Sequence, residues 1–548
     1  MRVNNFGKMQ PAFTEFFLKG KLKRSLSESI KSSGKSSGFI LAFIFLTIIF
    51  LAFNSSCSDR RPAETFSFFL DTLLDKLKGG WAGQLIGCAF AAPYKHKFQS
   101  SLIPETEPLH WSPHNLPSLF EKSPEIFDDL FIDLLFLDTL NKKGLNTQPK
   151  ELARALSRAQ FGLEHGLQMA RHNILIGLKP PRSGHWLNNP HADDNDFQKA
   201  ADFIGLISPG LMAPTIKLGR RLGEIMASGD GLYGGIYIAC LYSLAFIHEE
   251  PETLVEEALK VLPAKASFTQ TISEVLENYR RFPDNWQQTW QLIEKKWGED
   301  IGCPEGVFKP LNNDAKINAA WITIGLLYGR GDFARTITIT TRCGDDTESN
   351  AAAAGGIVGT LLGFSRIGPE WLQGLKEVEK FSPKGLDISF EEAPSISLKL
   401  ALENIKKNGG QIYGEKISLP LKKNIPPLPL EINFFGHFPR ERRELNLRLS
   451  EISSETTIEF EGTGFVINGR IIKKVPEDHT YRVAMVIDGR LAGASVLPAH
   501  PFLQNPTPFF HYKLRPGKHR LFLQIGEPSP KADIELREII IYDKKPAK

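Results

Sequence analysis

Residues 342–363 read RCGDDTESNAAAAGGIVGTLLG, and no other stretch restricts the fold as much. Ala351 to Gly363 carry almost no side-chain bulk, so a helix formed here lets its neighbours approach closely and belongs deep in a core. Ahead of it stand Asp345, Asp346 and Glu348, with Thr347 and Ser349 between and after them. Burying such a cluster is expensive without a compensating cation. Carboxylates and a hydroxyl suit a hard ion such as Mg²⁺. The alternative is a plain helix cap, although capping needs only one such residue.

Other segments share this texture. Leu70 to Gly87 (LDTLLDKLKGGWAGQLIG) reads as a helix, with Leu70, Leu73, Leu74 and Leu77 at helical spacing and Pro93 beyond its end. Gly79, Gly80, Gly83 and Gly87 give it a bare face, which marks close helix packing or close ligand approach. Ser228 to Gly235, containing Asp230 and Gly234, opens another glycine-rich helix. Asp128 and Asp129 precede LFIDLLFLDTL, which is apolar nearly all round and therefore a buried helix. Asp133 falls on the same helical face as Asp129. Residues 152–168 read as one helix. Residues 184–197 (GHWLNNPHADDNDF) form a polar loop with two histidines, a tryptophan and the pair Asp193-Asp194. Such a loop carries binding residues, or it is a solvated acidic loop with one aspartate as a cap. Helical periods without runs of alternating strands predict residues 64–410 as a nearly all-α domain.

Prolines 420, 426, 427 and 429 mark residues 411–430 as a linker, and the pattern then changes. Thr456 to Ile467 alternate, and Tyr481 to Val496 hold two strands around the hairpin dipeptide Asp488-Gly489. Residues 431–548 are therefore expected to be a β-sandwich, jelly-roll-like in type. The fold class is multidomain: an all-α domain followed by a β-sandwich. Phe434, Phe435, Phe509, Phe510 and Tyr512 either stack on sugar or serve as packing.

The first residues look like an address. Phe39 to Phe53 is an apolar run of 15 residues, short for a membrane span and right for a signal-peptide core. It leads through Asn54-Ser55-Ser56 into Cys57, which resembles a bacterial lipoprotein signal. Residues 1–57 are thus expected to direct export and to anchor the chain to a membrane, on the periplasmic or outer surface, through a lipid on Cys57. An uncleaved anchor helix is the alternative. The net charge of +4 comes largely from the first 35 residues, and no basic, aromatic-interleaved stripe points to nucleic acid. Five scattered cysteines without a CxxC pair argue against a disulfide framework or a zinc site.

Taken in order, these motifs resemble the ADP-ribosylglycohydrolase family, all-α enzymes built around a two-Mg²⁺ centre, over roughly residues 67–400. Gly80, Gly83, Gly87 and Pro93 match its first motif, with Lys95 where the family has a glutamate. Asp128 and Asp129 match a Thr/Ser-Asp-Asp motif in which Phe127 replaces the hydroxyl residue. Asp346, Glu348, Ser349 and Asn350 match Asp-x-Asp-Thr-Asn with two conservative changes. The resemblance implies an orthogonal helical fold and a Mg²⁺-dependent glycohydrolase cleaving an N- or O-glycosidic bond of an ADP-ribosyl or related sugar conjugate. It implies one or two ions held by Asp128, Asp129, Asp346, Glu348 and Ser349, with Asp133 or Asp194 as the base. Gly344, Asn350, Gly234 and Asp193 are expected at the substrate, which is a sugar-containing small molecule or a modified protein or glycan. Lys95 and Phe127 motivate the alternative of a non-catalytic surface lipoprotein that binds carbohydrate or nucleotide sugar.

Overall fold

A computed structural model describes residues 65–299, 301–421, 424–449 and 455–545; the expected leader and Cys57 lie outside them. Among the described residues are 17 α-helices, followed by antiparallel sheets. None of the described helices is long and apolar enough to cross a membrane.

The helical domain is organised by two antiparallel helices, Leu70–Ala91 and Thr347–Leu362, whose backbones touch. A Cβ added to Gly83 would stand 2.1 Å from the Gly355 carbonyl oxygen, one on Gly79 2.1 Å from that of Gly359, and one on Gly87 2.0 Å from that of Ala351. The bare faces read from the sequence are thus each other's partners. Their antiparallel run brings the end of the first helix, and the turn through Lys95, to the acid-bearing start of the second. Thr347 Oγ1 donates to the Ala91 carbonyl at 3.2 Å and closes this corner. Helices Gly229–Leu244 and Ala315–Gly329 are buried along almost their whole length and pack against Thr347–Leu362. Phe127, in place of a hydroxyl residue, is wholly buried and stacks on Phe120 with centroids 4.1 Å apart. That stacking fixes the start of helix Asp128–Lys143.

Two local expectations are revised. Residues 152–168 are not one helix: Pro149–Ser157 ends, an irregular stretch containing Gly162 follows, and His165–Leu175 begins afresh. Glycine is a poor helix former, and the break lets Glu164 and His165 leave the helix line. The polar segment 184–197 is no solvated loop; His191, Asp194 and Asn195 within it are buried.

Strand β1 is Thr65–Phe69, β2 is Gln411–Tyr413 and β3 is Lys416–Pro420. They form a sheet in the order β1-β3-β2, pairing Thr65 with Pro420, so part of the expected linker clasps the start of the helical domain. Strands β4 (Phe438–Leu449), β5 (Glu455–Gly462), β6 (Gly464–Lys473), β7 (Thr480–Ile487), β8 (Arg490–Pro498), β9 (Phe509–His511), β10 (Gly517–Ile525) and β11 (Ala532–Asp543) build the second part. Their two antiparallel sheets, β5-β10-β7-β8 and β4-β11-β6-β9, are consistent with a β-sandwich. Asp488 and Gly489 make the β7–β8 turn with φ of 50° and 76°, the positive values a tight hairpin asks for.

The β part is seated against the helical domain by an aromatic cluster. Trp186 lies 5.3 Å from Phe434, 5.6 Å from Tyr512 and 5.5 Å from His437, centroid to centroid. Phe434 and Tyr512 are therefore packing residues and Phe509 is buried, whereas Phe435 remains exposed.

Candidate functional site

The starts of helices Asp128–Lys143 and Thr347–Leu362 meet, as the sequence led one to expect, and bring Asp129, Asp346, Glu348 and Ser349 together. Ser349 hydrogen-bonds Asp129, and Asp128 stands half-buried beside it. Two lysines complete this acid centre. Lys199 Nζ lies 2.8 Å from Asp346 Oδ2 and 3.9 Å from Asp129 Oδ1, with its side chain 7 % exposed. Lys95 Nζ lies 2.8 Å from Glu348 Oε1 and 3.6 Å from Glu164 Oε2.

The electrostatics follow from this pairing. Burial opposes charge on Lys199, but Asp129 and Asp346 outweigh it and hold the ammonium well above its usual range. Burial is likewise outweighed at Lys95, by Glu348 and Glu164. Burial would raise the Asp346 carboxyl, yet Lys199, His96 and Lys95 hold it well below the ordinary value. Asn195 Nδ2 also donates to Asp346 Oδ2 at 2.7 Å. Asp128 lacks such a partner and is pushed well up by burial and by its neighbours Asp129 and Glu164. Glu164, with its side chain 46 % exposed, is held low by Lys95 and Lys199 against the effect of burial.

The other expected site residues fall elsewhere. Asp133 sits inside the core against Asp202, where burial and that second carboxyl push it well up. Asp193 accepts from Asn433 Nδ2 at 2.6 Å and from the Gly231 amide at 3.4 Å, tying the start of the β part to the glycine-rich helix. A Cβ on Gly234 would meet Gln198 Nε2 at 2.5 Å and Ala315 Cβ at 3.1 Å, so this glycine serves helix packing. Gly344, with φ of 84°, lets the Phe98 and Ser101 carbonyls approach to 2.6 and 2.3 Å of where its Cβ would stand. Asn350 is buried and donates to Asn318 Oδ1 at 2.8 Å.

Asp194 belongs to a second group, one the sequence reading missed. His165, His191, Asp194, Cys303 and Glu305 each bring one potential ligand atom to within 4.8 Å of the others, a cluster able to hold a metal ion. The scattered cysteines argued against such a site; Cys303 joins it on the loop it shares with Glu305, far in sequence from His165, His191 and Asp194. Burial pushes Asp194 up to about 6 against the pull of His191. Glu305 also lines a cleft of about 570 Å³ between the two folded parts, together with Gln168, Lys309, Arg442, Gln504 and Glu538. Lys199 and Glu164 were likewise overlooked. The available signal was a lysine placed between buried Phe197 and Phe203, where apolar residues are the rule.

The fold is an α-helical domain in which acids converge from two helix starts, joined to antiparallel sheets. The chain belongs to the ADP-ribosylglycohydrolase family, whose profile matches residues 70–398. Among solved structures, an ADP-ribosylglycohydrolase-related protein complex is 15 % identical with a TM-score of 0.39, covering 61 % of this chain and 99 % of that one. No curated protein matches the chain.

Proposed function

We propose that the protein hydrolyses a glycosidic bond of a sugar conjugate, ADP-ribosyl or related, at the mouth of the acid centre. Family membership supports the reaction class. The observation that carries the residue assignment is the half-exposed Glu164, 3.6 Å from Lys95 Nζ, with the half-buried Asp128 as a neighbouring carboxyl. Burial and the Asp129 and Glu164 carboxylates raise Asp128, whereas Lys95 and Lys199 hold Glu164 low, with its side chain 46 % exposed. Carboxyls pushed apart in this way divide into acid and base. In this reading Glu164 takes a proton from water as its oxygen attacks the anomeric carbon. The bonding pair of the glycosidic bond leaves with the aglycone, which receives the Asp128 proton. Lys95 keeps Glu164 ionised and in place.

Mg²⁺, expected from the resemblance, does not suit the inner donor set as it stands. Asp346 and Glu348 each already face an ammonium at 2.8 Å, and a protonated lysine cannot be a ligand while it repels a divalent ion. The reading therefore needs no ion at the acid centre. The apolar run at 39–53 and Cys57 support export and lipid anchorage, which would present the acid centre to material outside the cytoplasm.

Hydrolysis of ADP-ribosyl-arginine, ADP-ribosyl-serine and a glycan panel tests this, with and without Mg²⁺. Turnover that survives chelation and is abolished in Glu164→Gln and Asp128→Asn is expected; full activity of Asp128→Asn would refute the assignment. The same lysine pairing favours one other reading, a surface protein that binds such a conjugate without cleaving it. Calorimetry showing tight binding with no turnover would select it.

A further inference from the structure

The His165 cluster has the dimensions of a coordination sphere. His191 Nδ1 lies 3.1 Å from Asp194 Oδ2 and 3.2 Å from Glu305 Oε2. His165 Nδ1 lies 3.8 and 3.7 Å from the same two oxygens. Cys303 Sγ lies 3.4 Å from Glu305 Oε2. A tetrahedron with centre-to-corner bonds of about 2.0–2.3 Å, the range of zinc–nitrogen, zinc–oxygen and zinc–sulfur bonds, has edges of about 3.3–3.8 Å. The four nitrogen–oxygen distances, 3.1–3.8 Å, lie close to that range.

The surrounding hydrogen bonds orient both rings. Each histidine turns Nδ1 toward the carboxylates and has Nε2 engaged from behind. His191 Nε2 meets Thr507 Oγ1 at 2.8 Å, and His165 Nε2 meets the Asn313 side-chain amide at 3.0 Å. Asn313 Oδ1 is buried without a hydrogen-bond partner. Turning that amide over lets His165 Nε2–H donate to Oδ1 and satisfies the oxygen. Both Nδ1 lone pairs then point inward, as outer partners of metal-bound histidines arrange. Asp194 Oδ1 is a second buried oxygen without a partner at the cluster. Two neutral imidazoles and two carboxylates balance one divalent cation. Nitrogen and sulfur donors favour a borderline transition ion over Mg²⁺.

We propose that His165, His191, Asp194 and Glu305 bind one divalent transition ion of the zinc class, with the Cys303 thiolate within reach as a fifth donor. The ion would pin the 303–305 loop to the helical core beside the cleft that Glu305 lines. The ion's donors are distinct from the residues of the adjoining acid centre, and their assignment does not depend on the hydrolase reading.

The full chain, stripped with a chelator and titrated with Co²⁺, tests this by binding alone. One equivalent of Co²⁺ with the visible d–d absorption of a low-coordinate site is expected, displaced by Zn²⁺ and not by Mg²⁺. His165→Ala and Glu305→Gln, at the partly exposed side of the cluster, should each weaken uptake at least tenfold while far-ultraviolet circular dichroism stays native. Cys303→Ser should remove a thiolate-to-cobalt charge-transfer band, and Asp346→Asn should leave uptake unchanged. No stoichiometric uptake by the unsubstituted chain overturns the proposal. So does uptake indifferent to His165→Ala and Glu305→Gln, or lost in Asp346→Asn, because the histidines and carboxylates would then be held together by protons alone or the ion would sit at the acid centre. A band that survives Cys303→Ser removes that residue from the ligand set.

Discussion

Replacing Lys199 with methionine isolates what holds the acid centre closed. The substitution keeps the length of the side chain and deletes the ammonium 2.8 Å from Asp346 and 3.9 Å from Asp129. Removing one partner of a buried ion pair typically destabilises by about 3–5 kcal/mol. A ceiling comes from protonation, since the stranded Asp346 can take up a proton instead of staying charged. With an unfolded-state pKa near 3.9, that uptake costs about 5 kcal/mol at pH 7.5 and only about 1.5 kcal/mol at pH 5. The sign follows from linkage. In the parent chain Asp346 is depressed and adds stability above its unfolded pKa. In K199M it is raised, so the deficit is largest at neutral pH and shrinks as pH falls toward 4. A unit of this size has an unfolding entropy of about 1 kcal/mol/K, so the deficit at pH 7.5 corresponds to a Tm lowered by about 3–5 °C. Differential scanning calorimetry at pH 7.5 and 5 measures it. Millimolar Mg²⁺ is expected to recover part of the loss in K199M and to leave the parent unchanged. A Tm equal to the parent's at pH 7.5, or a deficit of the same size at both pH values, would refute the reasoning.

Gly83→Ala should lower stability by about 3 kcal/mol or more, despite alanine's better helix propensity, because the added carbon meets the Gly355 carbonyl at 2.1 Å and both backbones are fixed; urea unfolding checks it. Glu538, paired with Arg442, is held down at about 2. Stability from this pair is present above the ordinary glutamate pKa and is lost as pH falls toward 2. The parent should therefore lose about 2–3 kcal/mol over that window that Glu538→Gln does not, as seen in urea midpoints against pH. Trp186→Ala removes the ring at the centre of the aromatic cluster. It should loosen the β part by about 3–5 kcal/mol, read as faster limited proteolysis near residues 424–437.

The elements visible in the sequence were those whose signal is local. Gly79, Gly83 and Gly87 announced a bare helix face, and Ala351 to Gly359 a second one. Which bare faces meet was not legible, since the helix opening at Ser228 to Gly235 had the same texture; the structure pairs these two. Asp128-Asp129 and Asp346-Glu348 were legible because each marks a helix start, and Asp488-Gly489 because only certain residues make that turn. What stayed hidden depends on contacts distant in the chain. Lys199 reaches an acid 147 positions later, and no local pattern reveals the pair. Glu164 and Lys95 met only because a helix broke at residues 158–164, which an amphipathic period does not signal. The histidine cluster draws on three segments, and Cys303 shows no pairing motif. Buried position explains the rest: Asp133, Gly234 and Asn350 have chemistry that suits a site and surroundings that suit a core.

Arg442 and Thr507 carry a consequence for how the chain comes to be built. Arg442 Nη1 donates to the Pro304 and Glu305 carbonyls at 3.0 and 3.1 Å, and Thr507 holds His191 from a distance of 316 positions along the sequence. Synthesis at about 5–20 residues per second separates His191 from Thr507 by roughly 15–60 s. During that interval the helical part can fold, but the loop bearing Cys303 and Glu305 has no carbonyl clamp and His191 has no outer partner. The residues from Arg442 onward thus act as a completion signal, supplying the carbonyl clamp and the outer partner that finish the second cluster.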